Sequence, residues 1–479
     1  MEKLVESIKN IFKIPDLRTR VLFTFGILLL YRLGCQVLVP GVDKEAIAGL
    51  FERSGSGILG MANMFTGGAL ANAAVFALGI MPYITASIIL QILQKSIPFL
   101  ERLSKEGEQG RNKINRYTRY LTVVFGLLHS YGITTILINM DSSQQGLISE
   151  SNHFLFRVLV MTTLTTGAIL IMWLGEKITE KGIGNGISLI IFASIVVRVP
   201  TDLADVFQKV VQHQIPVTVM AIVVAVIVAI VIFVVFFELG IRKITVQYAK
   251  RATSTGQMAG GNSYLPFKVN SAGVIPVIFS SSILQIPSVL TGLVGQPDAE
   301  GNLSSSATFM LNFLDQLAYG RPLSNLIFFI ATMFFTYFYV EMLFNPKDTA
   351  ENLKKHGGFI PGIRPGKETQ TYIEGVLSRL TFWGGLYLTL VSLIPNWIMM
   401  GLQLNTLPWV GELFANIPAI LNNGTGVALA ASLGGTSLLI VVSVGLDFVN
   451  QIENQLIMRK YDGFTSGSNK AMMRTRRYG

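Results

Sequence analysis

The sequence lacks most of the groups on which enzymes and ion-coupled transporters depend. Its single cysteine, Cys35, excludes an intrachain disulfide and a cysteine-based metal site. Only 14% of the 479 residues are charged, and the sequence contains no glycine-rich phosphate-binding loop followed by Lys and Ser or Thr. These absences predict a protein that is not an enzyme, hydrolyses no ATP and uses no cofactor or metal ion.

Ionisable side chains are also scarce in the middle of the long apolar runs, where a coupled transporter would need them. Those that occur lie at or near the ends of the runs, where long basic side chains reach the membrane surface and acids lie at the interface. They are Arg32, Arg157, Glu238, Glu341, Arg379 and Asp447. One histidine, His129, lies within a run, and a packed or interfacial position is favoured for it over a proton relay. We therefore expect transport to be driven from outside the chain.

Apolar residues, by contrast, make up 51% of the chain, and a mean hydropathy of +0.52 indicates an integral membrane protein. Several runs have the length of membrane-spanning helices. The ten predicted spans cover 21–39, 73–93, 120–139, 155–174, 183–199, 216–237, 272–293, 323–344, 376–400 and 425–447. Most of the 38 Lys and Arg residues lie on one side of these spans, which is therefore predicted to be cytosolic. That side comprises both tails and the loops 95–119, 175–182, 238–270 and 345–372.

The predicted spans divide into two sets of five. Because five is odd, the second set enters the membrane in the opposite orientation, and any internal repeat is inverted. The predicted organisation is an amphipathic cytosolic segment at 1–20, a first half at 21–199, an external hinge loop at 200–215, a second half at 216–447 and a cytosolic tail at 448–479.

A glycine-rich apolar stretch precedes the second predicted span. It reads SGSGILGMANMFTGGAL and leads into NAAVFALGIMPYITASIILQIL. The first piece is too short to cross roughly 30 Å of hydrocarbon, and it is too apolar for an ordinary loop. Non-helical or short helical backbone occurs at membrane depth only where protein buries it or where it faces a water-filled cavity. The stretch therefore predicts a re-entrant segment and an enclosed cavity.

Isoleucines recur at helical spacing in the four spans that are diluted with polar and small residues, namely the second, fifth, seventh and tenth. They are Ile80, Ile84, Ile187, Ile191, Ile275, Ile278 and Ile440. Isoleucine in a membrane helix usually contacts lipid or another helix. A ring of branched aliphatic side chains would instead form a hydrophobic constriction that closes by dewetting. Spacing alone leaves both interpretations open.

The predicted cytosolic loops present cations on well-defined turns. IRKITVQYAKR contains Arg242, Lys243, Lys250 and Arg251. GGFIPGIRPGK places Arg364 among prolines and glycines, which predicts the tip of a rigid turn. Such loops are either solvated positive segments or a docking surface for an anionic partner, such as ribosomal RNA or an acidic protein face.

Several long stretches resemble the SecY family, the channel subunits of Sec protein translocons. They are MFTGGALANAAVFALGIMPYITASIILQIL, KEGEQGRNKINRYTRY, MWLGEKITEKGIGNGISLIIFASIV, RKITVQYAKR, LPFKVNSAGVIPVIFSSSI, NPKDTAENLKKHGGFIPGIRPGKETQTYI and GGTSLLIVVSVGLDF. The resemblance implies an all-α protein with ten transmembrane helices, arranged as two inverted pseudo-symmetric halves around an hourglass pore. It further implies a bacterial inner-membrane channel for unfolded secretory polypeptides that releases signal sequences and membrane segments laterally into lipid.

The resemblance also implies roles for individual residues. The isoleucines named above would form the pore ring. A half-helix plug at about 57–70 would include Gly57, Ile58, Leu59, Met61, Met64, Phe65, Gly67, Gly68 and Leu70. A polar seam along a lateral gate would comprise Ser87, Gln91, Ser281, Ser282 and Gln285. The cationic loop residues, Arg364 above all, would dock the SecA motor ATPase and the ribosome. SecE would be an obligatory partner and SecG a peripheral one, and a precursor with its signal peptide would pass through.

Two other classes of protein share some of these features. A secondary transporter for a small solute, built from inverted repeats with a broken helix at its site, would explain the glycine-rich segment but not the missing midplane charges. A membrane insertase or scaffold without a pore would explain a polar groove but not matched apolar residues on four spans.

Overall fold

The computed structural model describes residues 14–42, 63, 66–143, 153–213, 216–248, 251–252, 258–259, 262–291, 313–314, 316–317, 320–400 and 434–475. Helices dominate these residues. They are α1 (Pro15–Gly34), α2 (Met81–Ser96), α3 (Pro98–Lys105), α4 (Glu108–Ser143), α5 (His153–Lys181), α6 (Gly186–Val211), α7 (Val217–Glu238), α8 (Ile275–Thr291), α9 (Pro322–Leu343), α10 (Pro346–Lys355), α11 (Lys367–Met400) and α12 (Gly435–Thr475). The strands are β1 (Ile241–Tyr248), β2 (Arg251–Ala252), β3 (Met258–Ala259), β4 (Asn262–Lys268) and β5 (Gly358–Phe359).

The chain forms two compact units. Unit 1 comprises Met1–Gly55, Ala62–Arg198 and Val444–Gly479, and unit 2 comprises Ser56–Met61 and Val199–Ser443. Helices α6 and α12 each begin in one unit and end in the other.

Unit 1 is organised around α2, α4 and α5. Helix α2 ends at Ser96 because Ile97 precedes Pro98, and proline disfavours helical dihedrals in the residue before it. Ile97 is extended, with φ −105° and ψ 114°, and the axis turns by 99° into α3. This turn brings Leu100 and Leu103 of α3 against Leu90 of α2, in a buried cluster that also includes Ile114 of α4.

Unit 2 combines long helices with a small antiparallel sheet of order β4-β1-β5. Strand β1 pairs with β4 from Ile241↔Lys268 to Gln247↔Asn262, and with β5 at Gln247↔Phe359 and Tyr248↔Gly358. Side chains alternate across a strand, so one face of the sheet packs on the helices. The resulting core contains Ile244, Phe267, Ala272, Val340, Ile360, Ile373 and Leu377. The strands connecting α7 to α8 are therefore fixed to the helical body.

Among the described residues, five helices are long and apolar enough to cross a membrane. They lie within His153–Lys181, Gly186–Val211, Pro322–Lys355, Lys367–Ile398 and Gly435–Ile457. A sixth span results if the bent pair α2 and α3 counts as one, and Val224–Glu238 and Ile275–Leu284 are shorter apolar helices. The protein is thus a multi-pass helical membrane protein, and the count of ten spans stays a prediction.

Two predicted boundaries are wrong. The second span was expected over 73–93, but residues 71–80 form turns and one isolated bridge, and helix begins only at Met81. Ala73 and Gly79 have φ of +47° and +56°, which interrupt a right-handed helix. Residues 200–215 were expected to form a loop, but α6 continues through Pro200 to Val211. Apolar Val199, Leu203 and Val206 keep the helical spacing past the proline, which explains the continuation.

Candidate functional site

In unit 1, the isoleucines predicted for a pore ring lie on α2 and α6. Ile80 is the N-cap residue of α2 and Ile84 lies in its first turn, and both side chains are 4% exposed. Ile191 is 1% exposed, whereas Ile187, one turn earlier on α6, is partly exposed. Ile187 lines a cavity of about 550 Å³ together with Tyr83 of α2. These side chains therefore face protein or a cavity, and lipid contact does not account for them.

In unit 2, the corresponding isoleucines lie at the starts of α8 and α12. Ile278 is 5% exposed and Ile440 is fully buried, whereas Ile275, the first residue of α8, is partly exposed. Ile275 and Ile278 lie nearly one helical turn apart on α8. They differ in burial, so the two side chains need not face the same environment.

The cavity beside Ile187 is polar on its other walls. Asn115, Arg119 and Glu176 line it, and Arg119 contacts Glu176 through two bonds, Nε–Oε1 at 3.0 Å and Nη2–Oε2 at 2.8 Å. Paired bonds of this kind fix both side chains. Within the described residues, no group of three or more His, Cys, Asp or Glu side chains could hold a metal ion.

The predicted plug is described only in part. Gly57, Ile58, Leu59, Met61, Met64 and Phe65 lie outside the described residues. Gly67, Gly68 and Leu70 belong to a run of turns from Thr66 to Ala73, with φ of +65° at Gly67 and +88° at Gly68. A Cβ on Gly67 would lie 3.0 Å from the Cα of Ser194, so the close approach to α6 and the positive φ both favour glycine at this position.

Arg32 is a functional candidate that sequence reasoning missed. It was expected to reach towards the membrane surface from the end of α1. Its Nη1 instead donates a hydrogen bond of 3.0 Å to the carbonyl oxygen of Gly67. No pattern in the sequence indicates this bond, because it joins positions 35 residues apart and depends on the turn conformation at Gly67.

The residues predicted for a lateral gate bond within their own helices. Gln91 Nε2 donates to Ser87 Oγ at 3.0 Å, one turn away on α2. Ser281 and Ser282 donate to the carbonyl oxygens of Val277 and Ile278, each at 2.7 Å. Hydroxyls bonded in this way are satisfied within an apolar helix. The backbone of Gln285 lies in α8, and its side chain is outside the described residues.

The predicted docking cations are divided between the sheet and a turn. Arg242 and Lys243 lie exposed on β1, where the Lys243 ammonium lies 4.8 Å from the ring centroid of Tyr264. Arg364 is exposed in the turn between β5 and α11, and its carbonyl oxygen accepts a 2.9 Å bond from Thr369 Oγ1. Lys250 and the side chain of Arg251 lie outside the described residues. The structure thus places Arg364 on a braced turn.

A buried polar cluster links the sheet to α12, and sequence reasoning missed this as well. Asn270 follows β4, and its Nδ2 donates to Glu238 Oε1 at 2.7 Å and to the Gly273 carbonyl at 3.2 Å. Ser443 of α12 donates to the same Glu238 oxygen at 3.0 Å. Asn270 and Ser443 are each 3% exposed. Ser443 follows Ile440 by nearly one turn, so the cluster fixes the part of α12 that carries this isoleucine.

Replacing Asn270 with alanine should destabilise the protein by about 1–3 kcal/mol, because the partly buried Glu238 carboxylate loses a donor. Thermal unfolding of the purified protein in detergent measures this effect. Ser271→Ala is the matched control, since Ser271 bonds only locally to the Lys268 carbonyl in an exposed position. Equal losses of stability in the two variants would contradict a structural role for the cluster.

These features define a class of protein. The apolar helices bury branched aliphatic residues, and cations are exposed on a sheet and on a turn. This combination is typical of a membrane channel that is driven by a separate partner.

The chain belongs to the SecY family. The sequence model of that family, described as SecY, matches residues 74–449. The protein translocase subunit SecY of Pseudomonas aeruginosa is 43% identical to this chain over 456 residues, which cover 95% of each sequence. The resemblance noted in the sequence is thereby confirmed.

Solved structures agree with this assignment at the level of the fold. One, described as the structure of a protein-conducting channel, matches with a TM-score of 0.59 and 16% identity, covering 92% of this chain and 93% of that one. Sec61 in a canine ribosome-channel complex from the endoplasmic reticulum matches with a TM-score of 0.55 and 15% identity, over 92% and 93% of the two chains. The mostly helical channel fold expected from the sequence is confirmed, and the small sheet is an addition to the predicted all-α architecture.

Proposed function

We propose that the protein is a protein-conducting channel that passes unfolded secretory polypeptides across a bacterial cytoplasmic membrane. The observation that carries this proposal is its 43% identity, over nearly its whole length, to a protein translocase subunit. The channel is passive, and force on the polypeptide comes from the SecA motor or from the translating ribosome.

The seven isoleucines form the constriction of this channel. A polypeptide presents every kind of side chain in turn, and a polar filter would bind some of them too tightly and stall transport. Aliphatic side chains bind none of them strongly, and they exclude water when no chain is present. The burial of Ile84, Ile191, Ile278 and Ile440 supports this role, since each is shielded from solvent.

The segment at about 57–70 acts as a plug on the outer side of the constriction. Its glycines make helical structure easy to disrupt. The polar side chains Ser87, Gln91, Ser281, Ser282 and Gln285 line a lateral gate. An apolar segment leaves through that gate for lipid, driven by partition free energies of a few tenths of a kcal/mol for each Leu or Ile.

The chain has ten transmembrane helices in two inverted halves, with both termini in the cytosol. SecE binds both halves, and SecG binds at the periphery. Arg242, Lys243, Lys250, Arg251 and Arg364 dock SecA and the ribosome. The exposure of Arg242, Lys243 and Arg364 supports this role, as does the likeness of the fold to Sec61 in a ribosome-channel complex.

Reconstitution of the protein with SecE in proteoliposomes tests this function. With SecA and ATP, a labelled secretory precursor should become protected from external protease. A precursor that carries an apolar segment of about 20 residues should be recovered in the lipid fraction. Liposomes without the chain provide the background.

Two outcomes would contradict the proposal and favour another class. Accumulation of a small solute without precursor protection would indicate a secondary transporter. Membrane insertion of the apolar segment without protection of any secretory precursor would indicate an insertase without a pore.

A further inference from the structure

The last turn of α1 holds the described end of the plug region against α6, entirely within unit 1. Tyr31 is 3% exposed, and its hydroxyl lies 2.7 Å from Ser194 Oγ of α6 and 3.3 Å from the carbonyl oxygen of Thr66. The next residue, Arg32, donates to the carbonyl oxygen of Gly67 at 3.0 Å. Two neighbouring side chains of α1 thus bind two consecutive carbonyl groups, and Ser194 of α6 bonds one of these side chains.

One of two proton arrangements lets the Tyr31 hydroxyl bond both Ser194 and Thr66. Ser194 Oγ lies 2.8 Å from the carbonyl oxygen of Ile190, on its own helix. When Ser194 donates to Tyr31, the phenolic proton is free to bond Thr66. When Ser194 donates to Ile190, the phenolic proton bonds Ser194. Both arrangements keep the Tyr31 hydroxyl between α6 and the backbone at Thr66.

The contribution of Arg32 follows from its charge. A guanidinium inside a membrane protein is costly unless it is bonded to a carboxylate or a carbonyl. Hydrogen bonds from a charged donor are roughly twice as strong as neutral ones. Displacement of Gly67 would remove this acceptor, so release of the turn is opposed by the loss of a charge-assisted hydrogen bond from Arg32.

Close packing surrounds these bonds. The Tyr31 ring stacks on Phe76, with centroids 5.8 Å apart and planes at 8°. Phe76 lies so close to Gly34 that a Cβ there would meet its ring. Backbone bonds from Val39 N to the Ala73 carbonyl and from Val75 N to the Val37 carbonyl, both 2.8 Å, fix the rest of the segment. The backbone at Ala73 and Val75 is therefore attached independently of the Tyr31 hydroxyl and of Arg32, which act on Thr66 and Gly67.

We propose that Tyr31, Arg32 and Ser194 form an anchor cluster that positions Thr66 and Gly67 and so keeps the resting channel closed. The inference rests on the proposed channel function and adds to it a set of positioning residues on α1 and α6. Loosening the cluster should make the channel open more readily, for ions and for precursors with a weak signal sequence.

The first test measures amide hydrogen exchange at residues 66–72 and does not depend on transport activity. Tyr31→Phe removes the hydroxyl and keeps the stack on Phe76, and Arg32→Met removes the charge and keeps the aliphatic length. Each variant should speed amide hydrogen exchange at residues 66–72 by about tenfold, the effect expected for one lost hydrogen bond. Exchange in α4 and α5 should not change. Arg32→Lys, which keeps a charged donor, should restore most of the protection.

The second test measures how tightly the resting channel is closed. Both variants should raise the ion conductance of reconstituted, resting channels severalfold and should improve export of a precursor with a defective signal sequence. Tyr31→Phe combined with Ser194→Ala should have the same effect as Tyr31→Phe alone, because Ser194 contacts the cluster through the Tyr31 hydroxyl. Tyr387→Phe is the control, since this buried tyrosine has no hydrogen-bond partner for its hydroxyl among the described residues.

Three results would overturn the inference. Unchanged exchange at residues 66–72 would show that the cluster does not hold them, and faster exchange throughout unit 1 would show that it stabilises the unit in general. If local exchange became faster but the conductance and the signal-sequence requirement stayed as in the wild type, the cluster would not contribute to channel closure. If neither the wild type nor any variant translocated a precursor, the channel function would be refuted. The exchange measurement would still show whether the cluster holds residues 66–72.

Discussion

Replacing Ile84 or Ile278 with asparagine should make the resting channel leak ions. Both side chains are nearly inaccessible, at 4% and 5% exposure, so the amide would replace hydrocarbon where the proposed constriction excludes water. An unbonded buried amide costs about 1–3 kcal/mol, and hydration of the constriction would recover that free energy. Because 1.4 kcal/mol corresponds to a factor of ten, resting conductance should rise on the order of tenfold or more.

Single-channel recording in planar bilayers measures this change, and export of a precursor with a weakened signal sequence should increase in parallel. Ile190→Asn is the matched control, since Ile190 is 2% exposed on α6 but is not among the residues of the proposed ring. It should destabilise the protein without raising conductance. Wild-type conductance in the Ile84 and Ile278 variants, or an equal rise in the Ile190 variant, would remove the ring from the mechanism.

The membrane class and the family were predictable from the sequence because both depend on features that are local in the chain. Runs of apolar residues are long enough to count, and motifs such as NPKDTAENLKKHGGFIPGIRPGK are long enough to identify a family. The turn at Arg364 was predictable for the same reason, since its prolines and glycines are neighbours. An apolar run predicts that a segment is buried, however, and it does not predict the backbone conformation of that segment.

The wrong boundaries follow from that distinction. Residues 73–80 are as apolar as a membrane helix, but left-handed dihedrals and bonds to residues 37 and 39 give turns instead. At Pro200 the error is reversed, because a loop was predicted over 200–215 where apolar spacing continues the helix to Val211. The bonds of Arg32 to Gly67 and of Glu238 to Asn270 depend on the fold, so no local pattern could predict them.

Reversing the charge of Arg364 should abolish most motor-driven export while leaving the channel assembled. Arg364 is exposed on a turn that is bonded through its own carbonyl to Thr369, so its guanidinium is available to an acidic partner surface. Arginine anchors at protein interfaces commonly contribute 2 kcal/mol or more, and a glutamate would also repel the partner. Binding of SecA should therefore weaken by roughly thirtyfold or more.

Measurement of SecA affinity and of ATP-dependent export by Arg364→Glu channels tests this expectation. Lys355→Glu is the matched control, because Lys355 is also exposed in unit 2 but lies on α10 and outside the turn. Thr369 bonds the backbone of Arg364 and not its side chain, so the turn should keep its structure in the variant. Copurification with SecE should consequently match the wild type. If SecE binding and export fell together, Arg364 would support the fold of unit 2, and the docking surface would have to lie elsewhere.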